Sequence, residues 1–147
     1  MDDLLAKARA GNGSLGMETC GGRTLFLMKC TGILIAGGIG SLFRYGLTEL
    51  SAQIFGKAFP WGTMLVNLLG CFLFGIIWSL SLKGMWREEI RAILLVGFLG
   101  GFTTFSSFAF HNEQMLTQAH WNALFLNVLV QNIVGIAAVW LGIQLAS

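Results

Sequence analysis

The chain has 147 residues, 55% of them hydrophobic and only 11% charged, with a formal net charge of +2 and a mean hydropathy of +0.73. A soluble domain carries about 25% charged residues, so this composition excludes a water-clothed globule and indicates a membrane protein. No two Lys or Arg are adjacent anywhere, which removes the basic footprint that a nucleic-acid partner needs.

In chain order, residues 1–27 are rich in Gly and charge (MDDLLAKARAGNGSLGMETCGGR) without apolar periodicity, and are expected to form a disordered N-terminal extension. The stretch MKCTGILIAGGIG from Met28 reads as a natural start, so the extension is expected to be an alternative or dispensable one, and residues 28–147 to form the membrane domain. No signal-peptide pattern is evident, because the apolar run that follows is long enough to span. The cysteines, Cys20, Cys30 and Cys71, are odd in number and lack CxxC or Cys/His spacing, which argues against a disulfide framework or a zinc site.

A span of the bilayer core needs about 20 apolar residues, and such runs fall at roughly 30–50, 61–82, 91–112 and 121–146. Four membrane helices are therefore predicted, with the charges of Glu49, Lys57, Lys83, Arg87, Glu88, Glu89, Arg91 and Glu113 in the breaks. An even count puts both termini on the side of the 83–91 loop. Lys29, Lys83, Arg87 and Arg91 then face that side, and Arg44 and Lys57 the other. The resulting positive-inside bias is weak and permits insertion in both orientations. Glycines recur inside the spans, and Gly97 and Gly101 have the small-xxx-small spacing of close helix contacts.

The third span contains GGFTTFSSF at residues 100–108. A glycine pair weakens a helix, and hydroxyl side chains compete for its backbone hydrogen bonds. One reading is a broken helix whose freed carbonyls hold a cation; the other is a continuous helix whose Thr103, Thr104, Ser106 and Ser107 bond back to their own turn. Phe102, Phe105 and Phe108 recur every three residues, which predicts one row on one face. Such a row usually packs, but the positive ring edge can also favour an anion along a narrow path.

Asn67 is the strongly polar residue in the middle of the second span, and a buried amide must find partners. Asn127 and Gln131 share a face of the fourth span, with Asn132 adding another amide. These residues supply donors either for an interhelical bond or for a polar track. Arg44 lies inside the first span, where it either snorkels or draws anions to a vestibule. No Asp or Glu sits in mid-span, which argues against cation export coupled to protons. No Ser/His/Asp arrangement, phosphate loop or metal cluster suggests an enzyme, and His111 and His120 read as lone and solvated near an interface.

GGIGSLFRYG at 37–46, WGTMLVNLLG at 61–70 and GFLGGFTTFSSF at 97–108 together resemble the CrcB/Fluc family of fluoride channels, over about residues 30–145. The resemblance implies an all-α membrane protein with four helices per subunit, a break in the third, and an antiparallel dual-topology homodimer in the inner membrane. It implies two passive fluoride pores that relieve fluoride toxicity, and a structural Na⁺ at the dimer centre. By matching motifs it places Phe105 and Phe108 as the pore phenylalanines, Asn67 as the pore asparagine, and Gly100 and Thr103 as the carbonyl donors to Na⁺. Arg44 then sits at a pore mouth, and Thr104 and Ser107 fall on the polar track. There are two departures: His111 stands where many relatives carry a glutamate, with Glu113 nearby, and Asn127 and Gln131 replace a tyrosine and a serine. The competing functions are a small multidrug-type exporter, which wants a membrane carboxylate, and a non-transporting assembly subunit.

Overall fold

The computed structural model describes the backbone of residues 2–147 and side chains from residue 22 onward. Most of the expected 1–27 extension therefore lies outside the described side chains, and residues 22–27 are part of the first helix. Four helices are long and apolar enough to cross a membrane: Gly22–Phe55, Trp61–Leu82, Glu88–Thr117 and Trp121–Leu145. The chain is a multi-pass membrane protein.

The first and third spans run past their apolar windows. Polar residues such as Glu49, Ser51 and Gln53 do not break a helix, so α1 (Asp2–Phe55) continues until Gly56 takes a left-handed φ of 79°. There the Gly56 N–H closes the last turn on the Ala52 carbonyl at 3.0 Å, a glycine C-terminal cap. Gly84, with φ 69°, follows α2 (Trp61–Leu82) in the same way.

The third span is composite. It runs through α3 (Glu88–Ala92), a π-helical stretch Ile93–Leu99 and α4 (Gly100–Phe102). Thr103 (φ −80°, ψ 160°) and Thr104 (φ −151°, ψ 112°) are then extended, and α5 (Phe105–Thr117) resumes. The fourth span joins α6 (Trp121–Leu129) to α7 (Gly135–Leu145) through a second π-helical stretch, Val130–Val134. Wide turns of this kind commonly accompany functional sites.

Glycine lets the spans approach in two pairs. A methyl group on Gly75 would strike the Val139 carbonyl, and one on Gly142 the Phe72 carbonyl, so α2 and α7 touch backbone to backbone. The first and third spans do the same through Gly40 against the Phe98 carbonyl and Gly101 against that of Gly37. Gly97, four residues before Gly101, faces Ile33 and Ala36, as that spacing predicts. Close packing of this type, rather than water exclusion, drives helix association in lipid. The pairs meet in a small core of Val66, Leu99 and Phe102, with Leu47, Leu73, Ile77, Leu95 and Phe98 around it. Most other large apolar side chains are exposed, as lipid-facing or partner-facing surfaces require.

Helix α5 ends in a Schellman motif, with His120 N–H on the Met115 carbonyl at 2.8 Å and Ala119 N–H on that of Leu116 at 3.1 Å. The residue this motif places in the left-handed region is Ala119, at φ 56°, where a Cβ crowds the following carbonyl oxygen. Ala119→Gly should relieve that strain and stabilise the protein by roughly 0.5–1 kcal/mol. A melting temperature in detergent that rises for the variant checks this, and one that falls contradicts it.

Candidate functional site

The Thr103 N–H makes the last helical bond of this segment, to the Leu99 carbonyl, and Thr104 leaves the ladder. The Thr104 N–H would close a turn on the Gly100 carbonyl; it instead donates to Asn67 Oδ1 at 2.9 Å. Asn67 Nδ2 returns a bond to the Thr104 carbonyl at 3.1 Å. The amide thereby pairs with both backbone groups of one extended residue, much as a neighbouring strand would, and meets the rule that every backbone group in the bilayer needs a protein partner.

The rest of the interruption is secured by side chains on either side. Thr103 N–H and Thr103 Oγ1 both bond to the Leu99 carbonyl, each at 2.9 Å. Ser41 Oγ donates to the Gly101 carbonyl at 3.4 Å and Arg44 Nη1 to the Thr103 carbonyl at 3.4 Å. Thr104 Oγ1 caps α5 by accepting from Ser107 N–H at 3.2 Å, and it also meets Ser107 Oγ at 3.0 Å and Ser106 Oγ at 3.2 Å. The N-cap is thus provided by a hydroxyl residue in extended geometry, as helix starts prefer.

From Asn67 a line of amides crosses the bundle. Asn67 Nδ2 donates to Gln131 Oε1 at 2.7 Å, Gln131 Nε2 to Asn127 Oδ1 at 2.8 Å, and Asn127 Nδ2 to Asn112 Oδ1 at 2.7 Å. Asn127 is fully buried, and among the described residues no buried side-chain polar atom lacks a partner. The shared face of Asn127 and Gln131 is as their spacing predicts. Asn132 turns instead to its own helix, donating to the Val128 carbonyl at 2.7 Å. Asn112 went unnoticed in the sequence because it lies beyond the GGFTTFSSF motif, and only its distance from Asn127 reveals it.

The expected single row of phenylalanines is corrected. Phe102 is buried and stacks on Phe98, with centroids 5.8 Å apart and planes at 8°. Phe105 is 79% exposed and tilts against Phe108 at 5.7 Å. Two extended residues between them shift the rotational register, so a period of three no longer keeps them on one face. Phe105 borders an open hollow of about 430 Å³, lined also by Asn67, Gly100, Thr103, Thr104 and Phe74. Gly100 faces open space there, with nothing near where a Cβ would stand.

Arg44 neither hangs free nor simply snorkels: it is half-buried against the Thr103 carbonyl. His111 is half-buried, with Nδ1 3.4 Å from Thr63 Oγ1, in a smaller hollow of about 270 Å³ that Glu49 and Lys57 also line. Glu113 is exposed. Together, Asn67, Thr103, Thr104, Ser107, Asn127 and Gln131 form one connected cluster, with Phe105 and Gly100 on its open flank and Arg44 behind it.

Four membrane spans joined inside by a continuous line of amides and hydroxyls define an integral membrane protein with a polar cluster between its helices. The chain belongs to the CrcB-like protein family: residues 31–143 match the family described as CrcB-like protein, Camphor Resistance (CrcB). It is 46% identical over 120 residues to the fluoride-specific ion channel FluC of Solidesulfovibrio magneticus, covering 81% of this chain and 96% of that one. It is 44% identical over 119 residues to the protein of that name from Nitrosococcus oceani, covering 80% and 95%. With the one from Azobacteroides pseudotrichonymphae it shares 46% identity over 109 residues, covering 74% and 87%.

Asn67→Leu removes both partners of the Thr104 peptide groups and the first donor of the amide line. Stranding buried backbone groups costs ~1–3 kcal/mol each, so a loss of about 2–6 kcal/mol is expected for the two. The variant should melt well below wild type in detergent, whereas an unchanged melting temperature would mean that Thr104 finds other partners.

Proposed function

We propose that the protein is a passive fluoride-specific channel of the inner membrane, which lets cytoplasmic fluoride leave down its electrochemical gradient and so limits its toxicity. The reading rests on membership of a family whose curated relatives carry the name of a fluoride-specific ion channel over nearly their full length, not that of an enzyme. The observation that carries it chemically is the line of N–H and O–H donors starting at Asn67 and Thr104, which share a hollow with the Phe105 ring, itself packed against Phe108.

Fluoride is small and strongly hydrated, so a path must replace its water with donors without holding it tightly. Gln131 and Asn127 each keep one amide N–H outside the series, Asn67 exchanges its bond to Gln131 for one to the ion, Thr104 and Ser107 add hydroxyls, and the positive ring edges of Phe105 and Phe108 add weak attraction. Neutral donors in series favour an anion and let it go. Arg44 contributes a fixed positive charge at one flank, which raises the local anion concentration.

The functional unit is a homodimer of antiparallel subunits. Support comes from the open hollow: Asn67, Gly100 and Thr103 line it beside apolar Phe74, Leu95 and Val139, and polar backbone at that depth is tolerated only when protein or a hydrated cavity covers it. A second copy covers it, and the weak charge asymmetry allows the two to insert in opposite senses.

A structural Na⁺ fits the donors present. The Gly100 carbonyl has lost the Thr104 N–H to Asn67, and the Thr103 carbonyl holds only a long contact from Arg44 at 3.4 Å, leaving hard oxygen atoms of the kind a small cation takes. The carbonyls of Gly100 and Thr103 would hold the ion. Bound there, Na⁺ would supply positive charge that offsets the cost of an anion at membrane depth.

Fluoride efflux from liposomes, read by a fluoride electrode after a potassium ionophore is added, should be fast, with no chloride release in the parallel control. Phe105→Ile with Phe108→Ile should abolish efflux while the dimer elutes as wild type; fluoride efflux that survives the double change removes the rings from the path. Replacing Na⁺ throughout by a bulky organic cation should lower the flux and shift the dimer towards monomer on gel filtration. A dimer indifferent to Na⁺ would remove the ion from the assembly.

A further inference from the structure

The orientation of a side-chain amide is ambiguous when it is viewed alone, but here one backbone group decides it for a whole series. The Thr104 N–H can only donate, so the oxygen of Asn67 must face it. Asn67 Nδ2 then points to Gln131, whose oxygen must accept. Gln131 in turn must present Nε2 to the oxygen of Asn127, and Asn127 must present Nδ2 to the oxygen of Asn112. The direction of every amide is thus inherited from the helix interruption, and the series ends at Asn112, two turns further along α5.

We infer that Asn112 is a positioning residue for anion conduction: it locks the far end of the amide series and thereby keeps the donor groups of Asn127 and Gln131 in the order that the anion path uses. The inference rests on the channel reading above. Without an acceptor at position 112, the buried Nδ2 of Asn127 has no partner. Turning Asn127 over would set its nitrogen against Gln131 Nε2, donor to donor, and turning Gln131 as well would set nitrogen against Asn67 Nδ2. Asn67 cannot follow, because Thr104 holds both of its ends. Loss of Asn112 therefore leaves a mismatch that must settle somewhere in the series, on the residues that meet the ion. Chains of hydrogen bonds polarise one another, so a reversed member also weakens its neighbours as donors.

The test is a double-mutant cycle read as fluoride flux from liposomes, with chloride flux measured alongside. Asn112→Leu should cut fluoride efflux by about tenfold or more, the size expected for one unsatisfied buried donor, while the protein elutes as wild type. Placed on an Asn127→Leu background, the same change should cost less than about twofold, since no donor then needs Asn112. Equal losses in both backgrounds would overturn the inference and leave Asn112 as packing. If Asn112→Leu does not elute as wild type, Asn112→Ala takes its place in the cycle with the same two outcomes. Asn112→Gln, which keeps an amide oxygen, should recover at least part of the flux, and a fall in the ratio of fluoride to chloride flux should accompany Asn112→Leu alone. Wild-type protein that releases no fluoride would defeat the channel reading itself, a result distinct from any pattern within the cycle.

Discussion

The structure depends on how two backbone groups of Thr104 are satisfied in a place without water. Leaving a peptide N–H and C=O unpaired in hydrocarbon costs several kcal/mol, so a helix can be interrupted there only if something replaces its own hydrogen bonds. The Asn67 side chain does so with a donor and an acceptor on one amide. Around that pairing the other features follow: Gly100 is left with an uncommitted carbonyl, Thr104 is free to cap α5, and the Phe105 ring is turned away from the Phe102 stack. A single amide on the second span thus determines the shape of the third.

The same constraint explains why polar groups gather where they do. Amides in a bilayer need partners, and a line in which each nitrogen donates to the next oxygen supplies them. Asn67, Gln131, Asn127 and Asn112 do this across three spans. The cluster serves stability, because no described buried polar side-chain atom goes without a partner. The glycine contacts play their part at a distance: by bringing α2 against α7 and the first span against the third, they put residues from separate spans within hydrogen-bonding reach.

Much of this was legible in the residues. Four apolar runs separated by charge gave the spans, and the 97–101 glycine spacing pointed to the contact with the first span. The placement of Asn67 in mid-span and of Asn127 and Gln131 on one face pointed to shared polar contacts, although Asn132, grouped with them, bonds to its own helix. Other features were hidden for physical reasons. The ends of the first and third spans were set by caps at Gly56 and Ala119 rather than by where hydropathy falls. The row of phenylalanines failed because a period of three holds only in an unbroken helix. Asn112 was silent because a lone amide near a span end has no pattern of its own.

What the sequence by itself determined is the membrane habit, the number of spans and the family, since these depend on composition, run length and local motifs. Tertiary structure alone decided which hydrogen-bonding group answers which: that Arg44 meets the Thr103 carbonyl, that Asn67 substitutes for a missing turn of helix, and that the amide series ends on Asn112. Those pairings join residues 15 to 64 positions apart. Their geometry is set by how closely glycine lets the spans pack, a property of contacts between segments that no single segment carries.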